Sequence, residues 1–230
     1  MATLYYRDLG RVEYLEAQAL QERLADLRRR NLCPDTLLFV EHFHVYTLGR
    51  GGRRENVLTP GAIPVHRASR GGDVTYHGPG QLVVYPVIDL RSRLRKEVHR
   101  YLKNLELAAI DLLAEYGIEA SRRPPYTGVW IGDRKIAAIG VAVRRGVTLH
   151  GLALNVDPDL AYFGAIVPCG LRWAGVTSMA RELGTAPRGE EVKSRFLGCF
   201  ARRFGYGETR AAPDDRFIAE PSPNAAARSA

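Results

Sequence analysis

The most promising nucleophile in the sequence is Cys169, which lies between a proline and a glycine. A lone cysteine is more often a small core residue than a reactive one. Here the flanking residues would hold the thiol on a turn, where neighbouring backbone amides could stabilise a developing oxyanion. Cys33 precedes a proline in a loop, and Cys199 falls on the apolar face of a predicted helix. We therefore predict that Cys169 is a nucleophile and that the other two thiols serve in packing.

Lys135 is the second candidate, because lysine is scarce in this sequence. The 33 basic residues include only four lysines: Lys96, Lys103, Lys135 and Lys193. Lys135 follows a turn and enters the apolar stretch 136–140, although a lysine beside a turn is ordinarily a solvated charge. Lysine can lose its proton near neutral pH when it is partly buried, whereas arginine cannot. This choice of residue indicates a titratable amine near a reactive site.

The third candidate is the segment 70–81, RGGDVTYHGPGQ, which contains four glycines in twelve residues. Glycine adds entropy loss without burying a side chain, so such a run favours a loop in which a ligand lies directly against the backbone. A tight turn between strands, with His77 at the surface, is the alternative. The segment does not match the P-loop or the dinucleotide-binding glycine pattern. His150, on a later predicted strand, fits either a satisfied core histidine or the wall of a pocket.

Composition narrows the class of protein. The chain has 230 residues, a net charge of +8, 46% hydrophobic and 25% charged residues, which is ordinary for a globular protein. Three separated cysteines without C-x-x-C spacing argue against disulfides and against a zinc site, and we expect neither a metal nor a cofactor. Without a signal peptide or a membrane-length apolar run, we expect a cytoplasmic protein. The basic residues match no nucleic-acid-binding motif and would equally suit acidic protein partners.

Hydrophobic periodicity predicts the elements that position these residues. Strands are expected at 4–7, 36–41, 63–68, 82–90, 128–131, 135–144 and 147–156, and helices at 12–30, 94–116, 178–183 and 190–204. This order indicates an α+β fold with a mixed, largely antiparallel sheet and helices packed on it. We expect one catalytic domain over residues 1–210 and a flexible or surface-lying tail over residues 211–230, which is rich in proline, alanine and serine.

Four motifs, taken in order, closely resemble those of the lipoyl(octanoyl) transferase family. They are R-G-G-x-x-T-x-H-x-P-G-Q at 70–81, G-x-x-K-I-A around Lys135, H-G-x-A-L-N at 150–155, and P-C-G at 168–170. The resemblance extends over nearly the whole chain, up to about Gly207, and no departure occurs at these positions. It implies a fold similar to the catalytic domain of biotin and lipoate protein ligases.

The resemblance also implies an activity and its residues. It implies an octanoyltransferase that takes octanoyl from octanoyl-acyl carrier protein and delivers it to a lysine of an acceptor. The expected acceptors are lipoyl domains of 2-oxoacid dehydrogenase E2 subunits and glycine cleavage H protein. It implies that Cys169 carries the acyl thioester and that Lys135 is its partner. We expect His150 to be a supporting residue of the site. The residues it implies for the acyl site are Arg70, Gly71, Gly72, Asp73, Val74, Thr75, Tyr76, His77, Ala138, Ile139, Gly140, Gly151, Leu152 and Ala153.

Two other functions remain open at this point. An ATP-dependent lipoate or biotin protein ligase would share the fold, and the segment Gly49–Arg54 resembles the Gly/Arg adenylate-binding loop of biotin ligases. A ligase needs no acyl cysteine, so the pair Cys169 and Lys135 favours the transferase. A lipid- or nucleic-acid-binding module would explain the charge, yet it would give neither of these two residues a purpose.

Overall fold

The structure is a computed structural model that describes residues 2–93, 97–167 and 173–213. Five helices and twelve strands are present in these ranges, with two short 3₁₀ segments at Arg54–Asn56 and Leu160–Ala165. The helices are α1 (Tyr14–Arg29), α2 (Leu90–Arg93), α3 (Val98–Glu115), α4 (Met179–Leu183) and α5 (Gly189–Phe204). The strands are β1 (Ala2–Val12), β2 (Thr36–His42), β3 (Val45–Leu48), β4 (Val65–Arg67), β5 (Val74–His77), β6 (Gln81–Val87), β7 (Ser121–Arg123), β8 (Tyr126–Ile131), β9 (Arg134–Arg144), β10 (Val147–Asn155), β11 (Gly175–Val176) and β12 (Tyr206–Ala211).

A nine-stranded mixed sheet forms the centre of the fold. Its strand order is β12-β1-β2-β6-β10-β9-β8-β7, and β11 pairs with β9. Strand β1 is parallel to both β2 and β12, and β11 is parallel to β9. The other neighbours in this sheet are antiparallel. The predicted mixed, largely antiparallel sheet with helices is therefore confirmed.

The central strands are covered by helices on both faces. Helices α3 and α5 pack on one face, where buried residues such as Leu112 and Phe196 join Val84, Leu152 and Leu154 of β6 and β10. Helix α1 packs on the other face, where Ala17 and Leu24 contact the strand residues that alternate with those facing α3 and α5. Because both faces are buried, β10 is buried at every position, and its sequence is nearly continuous in apolar residues.

A second sheet of three short strands, in the order β4-β3-β5, carries the glycine-rich segment. Strand β5 contains the Thr75 and His77 of that segment and pairs antiparallel with β3. One side of this small sheet forms a separate apolar cluster that includes Tyr46, Tyr76 and Phe163. The small sheet therefore holds residues 70–77 against the large one.

Several element boundaries differ from the sequence-based prediction. Strand β1 continues to Val12, where the periodicity predicted a helix, and α1 begins at Tyr14. The predicted helix 94–116 corresponds to α3, which begins at Val98, and residues 94–96 lie outside the described ranges. Strands β3, β5, β7, β11 and β12 were not predicted. Five of the six residues of β12 are not buried, so no apolar pattern marks this strand, which forms through its parallel pairing with β1. Within the ranges described, none of the helices is long and apolar enough to cross a membrane.

Candidate active site

A narrow cavity lies between the large sheet, the start of α1 and the segment 70–77. Its walls contain the predicted acyl-site residues with the exception of Gly71 and Tyr76, and they also contain His150. The lining residues are Arg70, Gly72, Asp73, Val74, Thr75, His77, Ala138, Ile139, Gly140, His150, Gly151, Leu152 and Ala153, together with Tyr14, Val83 and Tyr85. That the predicted set binds an acyl chain stays a prediction.

The two exceptions have different positions. Tyr76 does not line the cavity, because its side chain points to the side of β5 opposite to those of Thr75 and His77. Its ring packs in the cluster with Tyr46 and Phe163, and its hydroxyl is 2.8 Å from Nδ1 of His44. Gly71 contributes its backbone, since its N–H donates to the Val141 carbonyl at 2.9 Å and joins the segment to β9.

Small residues on β9 and β10 make room for the cavity. Ala138 pairs with Ala153 and Gly140 pairs with Gly151 in the antiparallel register. A Cβ at Gly140 would be 2.9 Å from Cδ of Arg70, and one at Gly151 would be 2.1 Å from the carbonyl oxygen of Val84. Both distances are too short for a real Cβ contact, so glycine is required at both positions.

Arg70 is buried and fixes the segment 70–73 at the edge of the cavity, which we call the lip. Its Nη1 donates to the carbonyls of Gly71 and Asp73 at 3.0 and 2.9 Å, and its Nη2 donates to the carbonyl and hydroxyl of Thr47 at 2.6 and 2.8 Å. One guanidinium therefore ties the glycine-rich segment to β3. Its positive charge lies beside the cavity, where it lowers the pKa of neighbouring imidazoles.

The two cavity histidines are held in the neutral form. Burial, followed by the charge of Arg70, lowers the pKa of His150 to about 4, and burial holds the pKa of His77 well below its ordinary value. His77 Nδ1 lies 2.7 Å from Oε1 of Gln81, an oxygen that can only accept, so Nδ1 carries the proton. His150 has a left-handed backbone with φ of 58°, and its N–H donates to Oε1 of Gln21 at 2.7 Å. These contacts make both residues fixed parts of the wall.

A chain of buried hydrogen bonds connects the glycine-rich segment to the strand that carries Lys135. Gln81 Nε2 donates to Oδ1 of Asn155 at 2.9 Å, and Asn155 Nδ2 donates to the Thr177 carbonyl at 2.9 Å. The Thr177 N–H in turn donates to the Lys135 carbonyl at 3.1 Å. The last residues of two motifs, Gln81 and Asn155, thus position the cavity relative to β9.

Three lining residues were missed by the sequence analysis: Tyr14, Val83 and Tyr85. Burial raises the pKa of Tyr14 to about 12, and its buried hydroxyl has no hydrogen-bond partner within the described ranges. The Tyr85 hydroxyl is 2.8 Å from Nε2 of His42, whose Nδ1 bonds the Val12 carbonyl. Alternation along β6 would have placed Val83 and Tyr85 on one face, but only the packing of α1 shows that this face borders the cavity.

A β-bulge sets the face on which Lys135 lies. Val129 pairs with Ala137 and Trp130 pairs with Lys135, so the register shifts and Ile136 is the extra residue. Ile136 and Ala137 both belong to the core under α3, although neighbours in a regular strand face opposite sides. A bulge redirects the side chains that precede it. Lys135 is consequently 7% exposed, and its Nζ lies 4.7 Å from the centre of the Trp130 ring.

Cys169 lies outside the described residues, as do Pro168 and Gly170, but both ends of its segment are described. On the preceding side, the Val167 N–H donates to the Asn56 carbonyl at 2.8 Å. On the following side, Trp173 stacks on Trp130 with ring centres 5.7 Å apart, on the indole that also contacts Lys135. The contact between Cys169 and Lys135 stays a prediction.

The other two thiols are buried, in accord with packing roles. Burial raises the pKa of Cys33 to about 11 and that of Cys199 to about 12. Cys33 Sγ lies 3.6 Å from the Leu24 carbonyl, and Cys199 is fully buried in the core between α3 and α5. Neither is poised to form a thiolate. Within the described ranges, no group of three His, Cys, Asp or Glu residues is arranged to hold a metal ion.

The protein-family model of the lipoyl protein ligase A/B catalytic domain matches residues 13–201. The chain belongs to this family. Octanoyltransferases of Solibacter usitatus and Geobacter metallireducens are 52% and 50% identical over 87% and 94% of this chain, and the matches cover 92% and 99% of those proteins. A mitochondrial octanoyltransferase of Arabidopsis thaliana is 42% identical over 90% of this chain and 91% of its own. These relatives support an acyltransferase that acts in octanoyl transfer for protein lipoylation.

Solved structures of lipoate and biotin protein ligases share the fold. A bipartite lipoate protein ligase of Thermoplasma acidophilum superimposes with a TM-score of 0.71 and 17% identity, over 94% of this chain and 89% of that one. A biotin protein ligase of Aquifex aeolicus gives 0.52 and 14% identity, over 89% and 70%. The predicted resemblance to the biotin and lipoate ligase catalytic domain is therefore confirmed, and at these identities it concerns the fold alone.

Proposed function

We propose that the protein transfers octanoyl from octanoyl-acyl carrier protein to Cys169 and then to the ε-amino group of a lysine in lipoyl domains. The acceptors would be the lipoyl domains of 2-oxoacid dehydrogenase E2 subunits and glycine cleavage H protein. The observation that carries the proposal is the cavity, since its walls combine the motif residues with an apolar floor beside the strand of Lys135. The identity with octanoyltransferases gives independent support.

The positions of the described neighbours favour Cys169 as the acyl carrier. Val167, two residues before it, is joined to Asn56, whose side chain donates to the Asp73 carboxylate at the cavity lip. Trp173, four residues after it, packs on the indole that contacts Lys135. The described residues on either side of Cys169 therefore contact the cavity lip and the indole beside Lys135, and the remaining cysteines are buried thiols.

The first half of the reaction needs a thiolate. A thiol with an ordinary pKa of about 8.5 is mostly protonated at neutral pH. An ammonium about 4 Å from the sulfur would favour the thiolate by at most roughly 4 kcal/mol at an effective dielectric of about 20. The Trp130 ring, whose centre is 4.7 Å from Lys135 Nζ, holds this amine in place. The thiolate attacks the thioester carbonyl, the bond to the carrier sulfur breaks, and the departing thiolate takes the Lys135 proton.

The second half restores the starting state. Lys135 is now neutral and accepts the proton that the acceptor amine releases as it attacks the Cys169 thioester. The carbon–sulfur bond breaks, the amide forms, and Cys169 leaves as a thiolate beside the Lys135 ammonium. One thioester replaces another and then yields a more stable amide, so no nucleotide is consumed.

Intact-mass analysis tests this proposal. Incubation with octanoyl-acyl carrier protein should add one octanoyl group to the wild-type chain, and addition of a lipoyl domain should remove it. Cys169→Ser should form no thioester, while Cys33→Ser should behave as wild type because that thiol is buried. Lys135→Arg keeps the charge but supplies no base, so it should block transfer to the acceptor. An adduct on another residue would refute the assignment, and a requirement for ATP would favour a ligase.

A further inference from the structure

The segment Gly49–Arg54, which no step of the proposed reaction uses, is bonded to the lip of the cavity. The N–H groups of Gly49 and Gly51 donate to the carbonyls of Asp73 and Gly72, each at 3.1 Å. The Arg50 N–H donates to the Arg70 carbonyl at 2.9 Å. A Cβ at Gly49 would be 2.4 Å from the Gly72 oxygen, so glycine is required for this close contact.

The chain that continues from this segment is joined to residues just before the Cys169 segment. The Asn56 carbonyl accepts from the Val167 N–H at 2.8 Å, and the Leu58 N–H donates to the Ala165 carbonyl at 2.9 Å. Val57 and Ile166 form an antiparallel bridge. The segment therefore lies between the cavity lip and the residues that lead to the proposed nucleophile.

Four exposed arginines surround this position, and we call them the arginine rim: Arg50, Arg53, Arg54 and Arg67. Within the described part of the chain, the rim has one ion pair, between Arg53 and Glu55 at 3.4 Å, with side chains 76% and 72% exposed. An ion pair so exposed contributes little. The carboxylate of Asp73 is already bonded to Asn56 and to two backbone N–H groups. The rim thus presents positive charge to solvent at the cavity entrance.

We propose that the arginine rim docks the acidic carrier protein that delivers the octanoyl thioester. This inference rests on the proposed function. The apolar acyl chain has to enter the cavity past this lip while the carrier domain stays outside, so attraction at the rim would orient the thioester towards the entrance. Leu58, which is 51% exposed beside the rim, adds an apolar contact for the same partner.

A second basic surface provides the comparison. Arg100 and Lys103 are exposed on α3 and border a groove that also contains Glu97 and Glu106. Helix α3 packs on the face of the large sheet opposite to α1 and the cavity. Glu106 is buried and paired with Arg122, whereas the exposed Glu97 reduces the attraction of this surface for an acidic partner.

Two charge-reversed variants separate these surfaces: Arg50→Glu with Arg54→Glu, and Arg100→Glu with Lys103→Glu as the matched control. Initial rates are measured with octanoyl-acyl carrier protein, with the small thioester octanoyl-N-acetylcysteamine, and with varied lipoyl domain. For the rim variant we expect KM for the carrier-bound donor to rise by about tenfold or more. Its kcat/KM for the small thioester should stay within about twofold, because the cavity is intact. The control variant should have the wild-type KM for the carrier-bound donor. Added salt should reduce the difference in this KM between wild type and the rim variant.

Each other result would overturn the inference. An unchanged donor KM in the rim variant, or a larger effect in the α3 control, would place the carrier elsewhere. A rise in KM for the lipoyl domain alone would make the rim an acceptor surface. ATP binding to wild type that the rim variant loses would make it a nucleotide site. A wild-type enzyme inactive with both thioesters would instead refute the proposed function itself.

Discussion

The buried histidines near the cavity predict a measurable loss of stability in acid. His42 is fully buried, His150 is 3% exposed, and burial lowers the pKa of each to about 4. In the unfolded chain an imidazole has a pKa of about 6.5, so below that pH the unfolded state binds a proton that the native state does not. Stability should therefore be unaffected by these groups above about pH 7 and should fall as the pH drops towards 4.

The magnitude follows from these pKa values. Between pH 7.5 and pH 5 an imidazole with a native pKa of about 4 destabilises the fold by about 2 kcal/mol, at about 1.36 kcal/mol per pH unit. His42 and His150 together account for about 4 kcal/mol, which is a large part of the roughly 5–15 kcal/mol that stabilises a typical protein. His77 adds to this loss in the same direction.

Urea unfolding at pH 7.5 and pH 5 measures the effect. The difference in unfolding free energy between the two conditions should be about 2 kcal/mol smaller for His150→Gln than for wild type, whatever the variant's stability at pH 7.5. His99, which is exposed on α3, provides the control His99→Gln, which should reproduce the wild-type difference. If His150→Gln loses as much stability in acid as wild type does, the buried neutral imidazole is not the cause.

Three further predictions concern the cavity and its surroundings. Ala138→Leu adds three methyl or methylene groups to the floor, and at about 0.8 kcal/mol per group this should shift the preferred thioester from octanoyl towards shorter chains, as measured by kcat/KM for a series of chain lengths. Gly49→Ala should lower donor kcat/KM and the melting temperature, because its Cβ would be 2.4 Å from the Gly72 oxygen. Gly189→Ala, where a Cβ meets nothing within 4 Å, should change neither. Trp130→Leu removes the ring beneath Lys135 and should reduce kcat in steady-state assays, whereas Trp130→Phe should restore most of it.

The sequence by itself determined the fold class and much of the cavity wall. The buried strands β6 and β10 are readable as apolar runs because they are covered on both faces. The glycines of the segment 70–81 and the small residues of β9 and β10 signal a place where backbones and a ligand approach closely. These signals are local in the chain, so pattern and motif are enough to find them.

Only the tertiary structure decided how distant segments meet. The bulge at Ile136 sets the direction of Lys135, and it arises from pairing with β8 and not from the composition of β9. Tyr14 reaches the cavity because α1 packs across the sheet, and the arginine rim forms because Gly49 lies against Gly72. The last two contacts join residues far apart in the chain, and their pairing depends on the complementarity of whole surfaces. Periodicity within one segment contains no information about such partners.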